Sequence, residues 1–454
     1  MSDEESSPRI ESRADLIGVM SSGGKPKSEW RVGTEHEKHV YRKGPIRPVP
    51  YEGTDGIHAL LAGVENRTGW HPFYDKGNPI GLRNLEAVGG ISLEPGGQFE
   101  LSGAPQPDIH AAAAELDSHL EDCRAIGGPL NIHFLGLGVT PIWPVAGIPA
   151  MPKSRYGIMT PYMNKVGTLG TSMMYRSATV QANLDFSDEA DMVKKLRVSV
   201  ALQPIVTALC ANSPFVDGKP SEYLSFRSHI WLNTDRARTG MLPFAFDEGF
   251  GFEQYADYAL TVPMYFVIRN HEYINVAGED FRAFLDGKLP QLPGEKPTLK
   301  DWENHLSTLF PEVRLKQFLE MRGADMGDRN QVLALAAIWT GLFYDSEALD
   351  CAWDLVSDWT NDEREALRNH VARTAIHTPF RHGTIADIAR LVVDIAGDGL
   401  RRRAQFHNGQ DETIYLAPFE ETLNLGKTPA ERWLDKYHDE WAGDLTRIFD
   451  EAEM

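Results

Sequence analysis

The stretch Gly89-Gly-Ile-Ser-Leu-Glu-Pro-Gly-Gly-Gln-Phe-Glu-Leu-Ser-Gly103 constrains the chain more than any other. It sets Glu94 and Glu100 six residues apart, an even spacing that puts both on one face of an extended backbone. Pro95, Gly96 and Gly97 between them predict a local break, as a tight turn or a bulge. Upstream, Trp30-Arg-Val-Gly-Thr-Glu-His-Glu-Lys-His39 places Glu35 and Glu37 two residues apart, so they also share a face if that run is a strand. Four carboxylates with no arginine among them are costly to bury unless cations neutralise them. Hard divalent ions that take oxygen ligands, Mg²⁺ above all, meet that need. Two half-exposed strands with solvated acids would fit the same spacing. The apolar flanks Val32, Ile91, Leu93, Phe99 and Leu101, with the glycines, favour a metal site.

A chain of 454 residues with 42% hydrophobic content can bury a large core, as one big domain or two intimate ones. Its net charge of −20 argues against a general nucleic-acid-binding surface and leaves a local basic pocket open. No apolar run approaches the ~20 residues of a membrane span. The opening Met1-Ser-Asp-Glu-Glu-Ser-Ser7 shows neither a basic leader nor an apolar stretch, so a cytoplasmic location is expected. Cysteines 123, 210 and 351 lie too far apart for a C-x-x-C metal site. Cys123 and Cys210 fall on apolar helical stripes, where buried free thiols are the ordinary outcome.

Along the chain, residues 1–12 read as a polar disordered tail. Strands are expected over Val32–Val40, Ile91–Leu101 and Asn131–Val139, and helices over Ala111–Ala125 and Met192–Ala211. Residues 141–170, rich in Pro, Gly and Met, predict a long ordered loop carrying Lys153, Arg155, Tyr156 and Tyr162; such loops inside compact folds tend to be functional. Thr179–Phe186 alternates, with Thr179, Gln181, Asn183 and Asp185 on one face and apolar residues on the other. Tyr223–Trp231 also alternates, bringing Arg227 and His229 to one face. Val313–Arg322 reads as a strand with Arg314, Lys316, Phe318, Glu320 and Arg322 together. From Gln331 onward apolar residues recur at helical spacing. Strands carrying the chemistry, followed by a helical last third, suit an α+β fold.

The sequence contains no G-x-x-x-x-G-K-[ST] loop, no G-x-S-x-G elbow and no H-E-x-x-H. What remains is an antiparallel sheet with several glutamates, a Gln/Asn strand and arginines on neighbouring strands. Such a surface suits phosphoryl transfer: carboxylates hold Mg²⁺, the metal bridges nucleotide phosphates, and arginine stabilises charge on the transferred group. Further arginines can clamp a substrate carboxylate.

Seven segments in order resemble the glutamate–cysteine ligase family of plants and proteobacteria: Val32–Lys38, Ile91–Ser102, Met151–Met159, Met173–Asp185, Arg227–Trp231, Arg238–Phe244 and Phe318–Asp325. The resemblance runs from about residue 30 to the C-terminus. It implies a glutamine-synthetase-like antiparallel β-sheet funnel surrounded by helices, in a single ligase catalytic domain over residues 13–454 with a mainly helical portion over 330–454. The implied reaction has ATP phosphorylate the γ-carboxyl of glutamate, after which the cysteine amine displaces phosphate to give γ-glutamylcysteine, the first step of glutathione biosynthesis. By motif position the resemblance implies Glu35, Glu37, Glu94, Glu100 and Glu320 as Mg²⁺ ligands, with Glu100 and Arg322 catalytic. Arg322 would face the transferred phosphate, with Gln181 near the metals and nucleotide. Arg155, Met173, Met174, Arg227, Trp231 and Tyr265 would line the amino-acid pocket. The family's long-range disulfide implies a Cys123–Cys351 bridge, and its plant members imply a redox-linked homodimer. The lack of a recognisable transit segment suits a bacterial cytoplasm.

Two other readings are compatible with the same residues. One is a sister ligase joining glutamate to another amine; the other is a non-catalytic Mg²⁺- or anion-binding scaffold. No nucleic-acid or membrane partner is expected.

Overall fold

The computed structural model describes residues 7–454. Among them, period-two alternation produces the strands of one ten-stranded antiparallel sheet. We label eight of these strands β1 (Val32–Arg42), β2 (His71–Asp75), β3 (Asn78–Asn84), β4 (Gly89–Leu93), β5 (Phe99–Ser102), β6 (Thr179–Leu184), β7 (Val313–Leu315) and β8 (Leu319–Asp325). Their order is β7-β8-β6-β1-β5-β4-β3-β2, with short strands at Arg47–Pro48 and His133–Leu135 also on β1. This is the antiparallel sheet among helices that the sequence led us to expect. Strand β1 is long and central, so its glutamates meet partners on both sides.

The register fixes the site. Glu35 stands opposite Ser102 on one side and Gln181 on the other, and Glu37 stands opposite Glu100. The β4–β5 hairpin sets Ser92 opposite Glu100. The expected break at Pro95–Gly97 is its turn, closed by Gly97 N–H donating to Glu94 O at 2.9 Å. Gly97 takes φ of +82° there, a conformation glycine adopts without strain.

Alternate residues of the same strands are apolar. Ile91, Leu93, Phe99, Leu101, Val180, Ala182 and Leu184 are all buried, and helices close over the sheet. Of these we label α1 (Ile109–Gly127), α2 (Ser154–Val166), α3 (Gly170–Arg176), α4 (Glu189–Leu209), α5 (Phe226–Leu232), α6 (Arg329–Phe343) and α7 (Ser346–Val356). Helix α6 is buried on every side and packs against β1 and β6; a helix apolar all round belongs in a core. Asp108, Asp188 and Asp328 cap α1, α4 and α6 by accepting from backbone N–H groups of the first turn, which satisfies donors a helix start leaves free.

Four expectations change. Residues 1–6 of the expected tail lie outside the described residues, and the rest of that stretch is not a free tail. Ile10 is buried, its N–H donates to Pro297 O, and Pro8 O accepts from Leu299 N–H. Residues 154–166 of the expected loop are helix α2, which holds Pro161 in its interior, and the loop's last residue, Gly170, opens helix α3. Tyr223–Trp231 is not a strand: Ser225 accepts from Ser228 N–H and starts the short α5. Val313–Arg322 is not one strand but the β7–β8 hairpin, with Arg314 opposite Glu320.

Candidate active site

Glu35, Glu37, Glu94 and Glu100 all face one cavity of about 240 Å³. The polar face of β1, β4, β5, β6 and β8 forms its floor. The walls come from α2 and α3 (Arg155, Tyr156, Met159, Met173, Met174), from α5 (Arg227, Trp231) and from Phe266 with Ser307, Thr308 and Phe310.

The acids differ in how they are held. Asn183 Nδ2 donates to Glu35 Oε1 at 2.8 Å, and Gln181 Nε2 donates to Oε2 at 3.3 Å. Thr179 N–H donates to Glu37 at 2.9 Å and Ser92 Oγ donates to Glu100 at 2.9 Å. Arg155 reaches Glu94 at 3.6 Å. These partners are mostly neutral, so the negative charge is under-compensated. Burial, and after it Glu94, push the Glu37 carboxyl up to about 8. Burial, then Glu94, Glu35 and Glu37, push Glu100 well above the usual carboxylate range. Two buried carboxylates, Glu37 and Glu100, that hold their protons beside two more acids mark a set of oxygen donors short of positive charge. In donor type and charge that set suits a hard divalent cation. Among the described residues, no three acids stand close enough together to cage an ion with the chain alone.

Glu320, the fifth expected ligand, is not among the residues lining the cavity. Arg314 donates to it through Nε at 2.6 Å and through a terminal nitrogen at 3.0 Å, Arg322 at 2.8 Å and Lys316 at 3.2 Å. It is fully buried. Burial raises a carboxyl, yet Arg314, Lys316 and Arg322 together hold Glu320 well below the usual range. Its lone pairs are committed to cations of the chain, so it anchors arginines instead of joining the open carboxylate group. Tyr265 also departs from expectation. It is 1% exposed and turned to the Arg238 guanidinium, 3.8 Å from its ring centroid; the next residue, Phe266, lines the cavity in its place.

The other expected residues come together. Arg322 donates to Gln181 Oε1, and Gln181 in turn donates to Glu35. Arg227 donates to the Arg322 carbonyl at 3.1 Å. Arg155, Met173, Met174 and Trp231 all line the cavity. Sequence reasoning gave no site role to Gln98, Ser177 or Phe310, which line it too, and gave Thr179 only a place on the polar face of its strand. Gln98 lies inside the glutamate stretch itself, and Thr179 on the polar face of β6; both signals were present. Nothing local marks Phe310.

The bridge between Cys123 and Cys351 is not formed: cysteines 123, 210 and 351 are all free thiols. Cys123 is buried on α1 with its sulfur 3.4 Å from His119 Nε2, whereas Cys351 is exposed on α7. Burial pushes the Cys123 thiol up to about 12.

Against this geometry, the family model for glutamate–cysteine ligase family 2 matches residues 31–451. The chain belongs to that family. Among curated members of the glutamate–cysteine ligase family, it is 53% identical to the chloroplastic glutamate–cysteine ligase of Medicago truncatula, over 97% of this chain and 84% of that one. It is 52% identical to ligase B of Oryza sativa subsp. japonica (97% and 86% covered) and to the Arabidopsis thaliana ligase (97% and 82%). All three are chloroplastic enzymes, and the cytoplasmic location expected from the first residues does not survive that finding. Among solved structures, the fold matches a glutamate–cysteine ligase from Francisella tularensis in complex with AMP, at a TM-score of 0.55 and 12% identity, over 93% of this chain and 87% of that one. It also matches a bifunctional glutathione synthetase from Pasteurella multocida, at 0.50 and 15%, over 97% and 52%.

Proposed function

We propose that residues 13–454 form one catalytic unit that ligates the γ-carboxyl of glutamate to the amine of cysteine at the expense of ATP, with Mg²⁺ at the four cavity glutamates. The observation that carries the reading is the under-compensated group of Glu35, Glu37, Glu94 and Glu100 facing Arg322, Arg227 and Arg155 across one cavity, in a chain of this family. A γ-carboxylate is a poor electrophile until it is phosphorylated, so the enzyme must first bring two anions together. Bound Mg²⁺ would neutralise nucleotide phosphates and the charge developing on the transferred group.

The chain's own residues account for the rest. Glu35, Glu37, Glu94 and Glu100 would hold the metal. Glu320 pairs with Arg322 and Arg314 and so holds the Arg322 guanidinium in place at the cavity, where it would meet the transferred group. Such preorganised charge is where much of an enzyme's acceleration arises. Gln181 couples Arg322 to Glu35 and so sets the arginine against the metal side. Arg155 and Arg227, stacked near Tyr156 and Trp231 at 5.2 and 5.6 Å, suit the carboxylates of amino acids. Met159, Met173 and Met174 offer a soft, adaptable wall.

The direct test is product formation from ATP, glutamate and a panel of amines, with and without Mg²⁺. The expected result is γ-glutamylcysteine with cysteine, one ADP and one phosphate per product, and no turnover once Mg²⁺ is chelated. Equal or faster ligation of another amine would move the reading to a sister ligase. Absence of any ligation would leave only the binding scaffold.

A further inference from the structure

Asp325, the last residue of β8, is 2% exposed and has no part in the reaction as described. Its two oxygens accept three hydrogen bonds. Ser213 Oγ donates at 2.6 Å and Asn212 N–H at 2.9 Å to one oxygen, and Ser225 Oγ donates at 2.7 Å to the other. Each hydroxyl then accepts at the start of α5: Ser213 Oγ from Arg227 N–H at 3.1 Å, and Ser225 Oγ from Ser228 N–H at 3.0 Å. The carboxylate thus orients two hydroxyls, and they fix the first turn of the helix that carries Arg227 and Trp231.

Three physical points make this relay more than ordinary capping. A seven-residue helix cannot hold its own conformation or direction, because so few of its hydrogen bonds are internal. Its placement therefore comes from what it packs against and what its first turn is tied to: the Ser213 and Ser225 hydroxyls, together with main-chain bonds from Phe226 N–H to Ser213 O and from Ser225 N–H to Ala372 O. The carboxylate has nowhere else to go: a Cβ on Gly138 would lie 2.6 Å from Asp325 Cγ, so the neighbouring chain packs directly on it. Finally, β8 also carries Arg322 three residues earlier, so one strand supplies an arginine to the cavity floor and sets the helix that supplies another to the wall.

We propose that Asp325 is a positioning residue, which through Ser213 and Ser225 registers α5 against β8 and so fixes how Arg227 and Trp231 meet an amino-acid substrate. The inference rests on the substrate-binding roles given above to Arg227 and Trp231. It makes a specific claim about kinetics. A displaced α5 weakens the hold on an amino acid while leaving Arg322 and the carboxylates, which other elements carry, in place.

The test is steady-state kinetics on Asp325→Ala, on the Ser213→Ala/Ser225→Ala double variant and on the triple variant. For Asp325→Ala, the KM of one amino-acid substrate should rise about 10-fold or more. Its kcat should fall less than about 3-fold and the KM for ATP should change less than about 2-fold. The triple variant should be no worse than Asp325→Ala, because the three residues act as one relay. Ser225→Thr, which keeps the hydroxyl, should retain the wild-type KM. Effects that multiply in the triple variant, or a loss in kcat with both amino-acid KM values unchanged, would overturn the proposal. If Asp325→Ala does not fold, the serine double variant carries the same KM test. Arg227→Ala separates the two levels. Unchanged amino-acid KM values there would sink the pocket assignment and the relay together, whereas a raised KM there with a normal one in the relay variants would sink the relay alone.

Discussion

At Glu320 the number of cations decides the role. A metal ligand needs free lone pairs, and this carboxylate gives its own to Arg314, Lys316 and Arg322. Removing one member of a buried ionic group leaves the others uncompensated, which costs about 3–5 kcal/mol. Glu320→Gln is therefore expected to lower the stability read from denaturant unfolding by an amount of that order, in buffer free of divalent ions. Unchanged stability with a raised Mg²⁺ requirement would return Glu320 to the metal. The sequence could not make this distinction. It put Glu320 on the correct face, but only the cross-strand pairing with Arg314 shows that the face is already charge-balanced there. Tyr265 was misplaced for a similar reason, since Arg238, 27 positions away in sequence, offers its ring a buried cation. By contrast, Glu35 and Glu37 were legible, because a period of two fixes side-chain direction whatever the strand pairs with; Glu94, just past the end of β4, and Glu100, on β5, are brought together by the hairpin turn between them.

Among elements, the β4–β5 hairpin sets the geometry of the carboxylate group, and its turn is locked against α3. A Cβ on Gly96 would lie 2.0 Å from the Tyr175 carbonyl oxygen. Gln98 completes the lock by donating to Met174 O at 3.2 Å and Ser177 O at 2.7 Å, while accepting from Gly96 N–H. Gly96→Ala must push the turn off α3, and overpacking of this kind costs about 1–3 kcal/mol. We expect a lowered melting temperature together with a kcat/KM reduced about 10-fold or more, since Glu94 moves with the turn. A variant with wild-type melting and turnover would show that the turn is free to relax. The long strands were readable from alternation, and the core helices from their period. The short elements were not. Helix α5 spans only two turns, too few for a 3.6-residue period to differ from alternation. The β7–β8 turn keeps the parity of its charged residues, so the hairpin looks continuous. Helix α2 was hidden by Pro161, a residue that ordinarily signals a break.

For the molecule as a whole, stability should depend on pH through histidines buried as neutral bases. His305 Nε2–H donates to Ala259 O, 2.9 Å away, between Trp302 and Phe281. Burial lowers its pKa to about 4, against about 6.5 in an unfolded chain. In the window between those values the unfolded state binds the extra proton, so stability is complete above pH 6.5 and declines as pH falls towards 4. One such group contributes a slope of about 1.4 kcal/mol per pH unit. Urea unfolding at pH 7 and pH 5 should show the wild type losing more stability than His305→Phe, by about 2 kcal/mol. Parallel losses in the two proteins would contradict a neutral buried His305.

The carboxylate group is the claim on which the rest depends, and its most direct test is metal binding itself, followed by the electron paramagnetic resonance of Mn²⁺ titrated into the protein with ATP present. The wild type is predicted to bind Mn²⁺ tightly and to lose most of that binding in the Glu37→Gln/Glu100→Gln variant, with ATP alone as the baseline. A double variant that binds as many ions, as tightly, as the wild type would contradict the account.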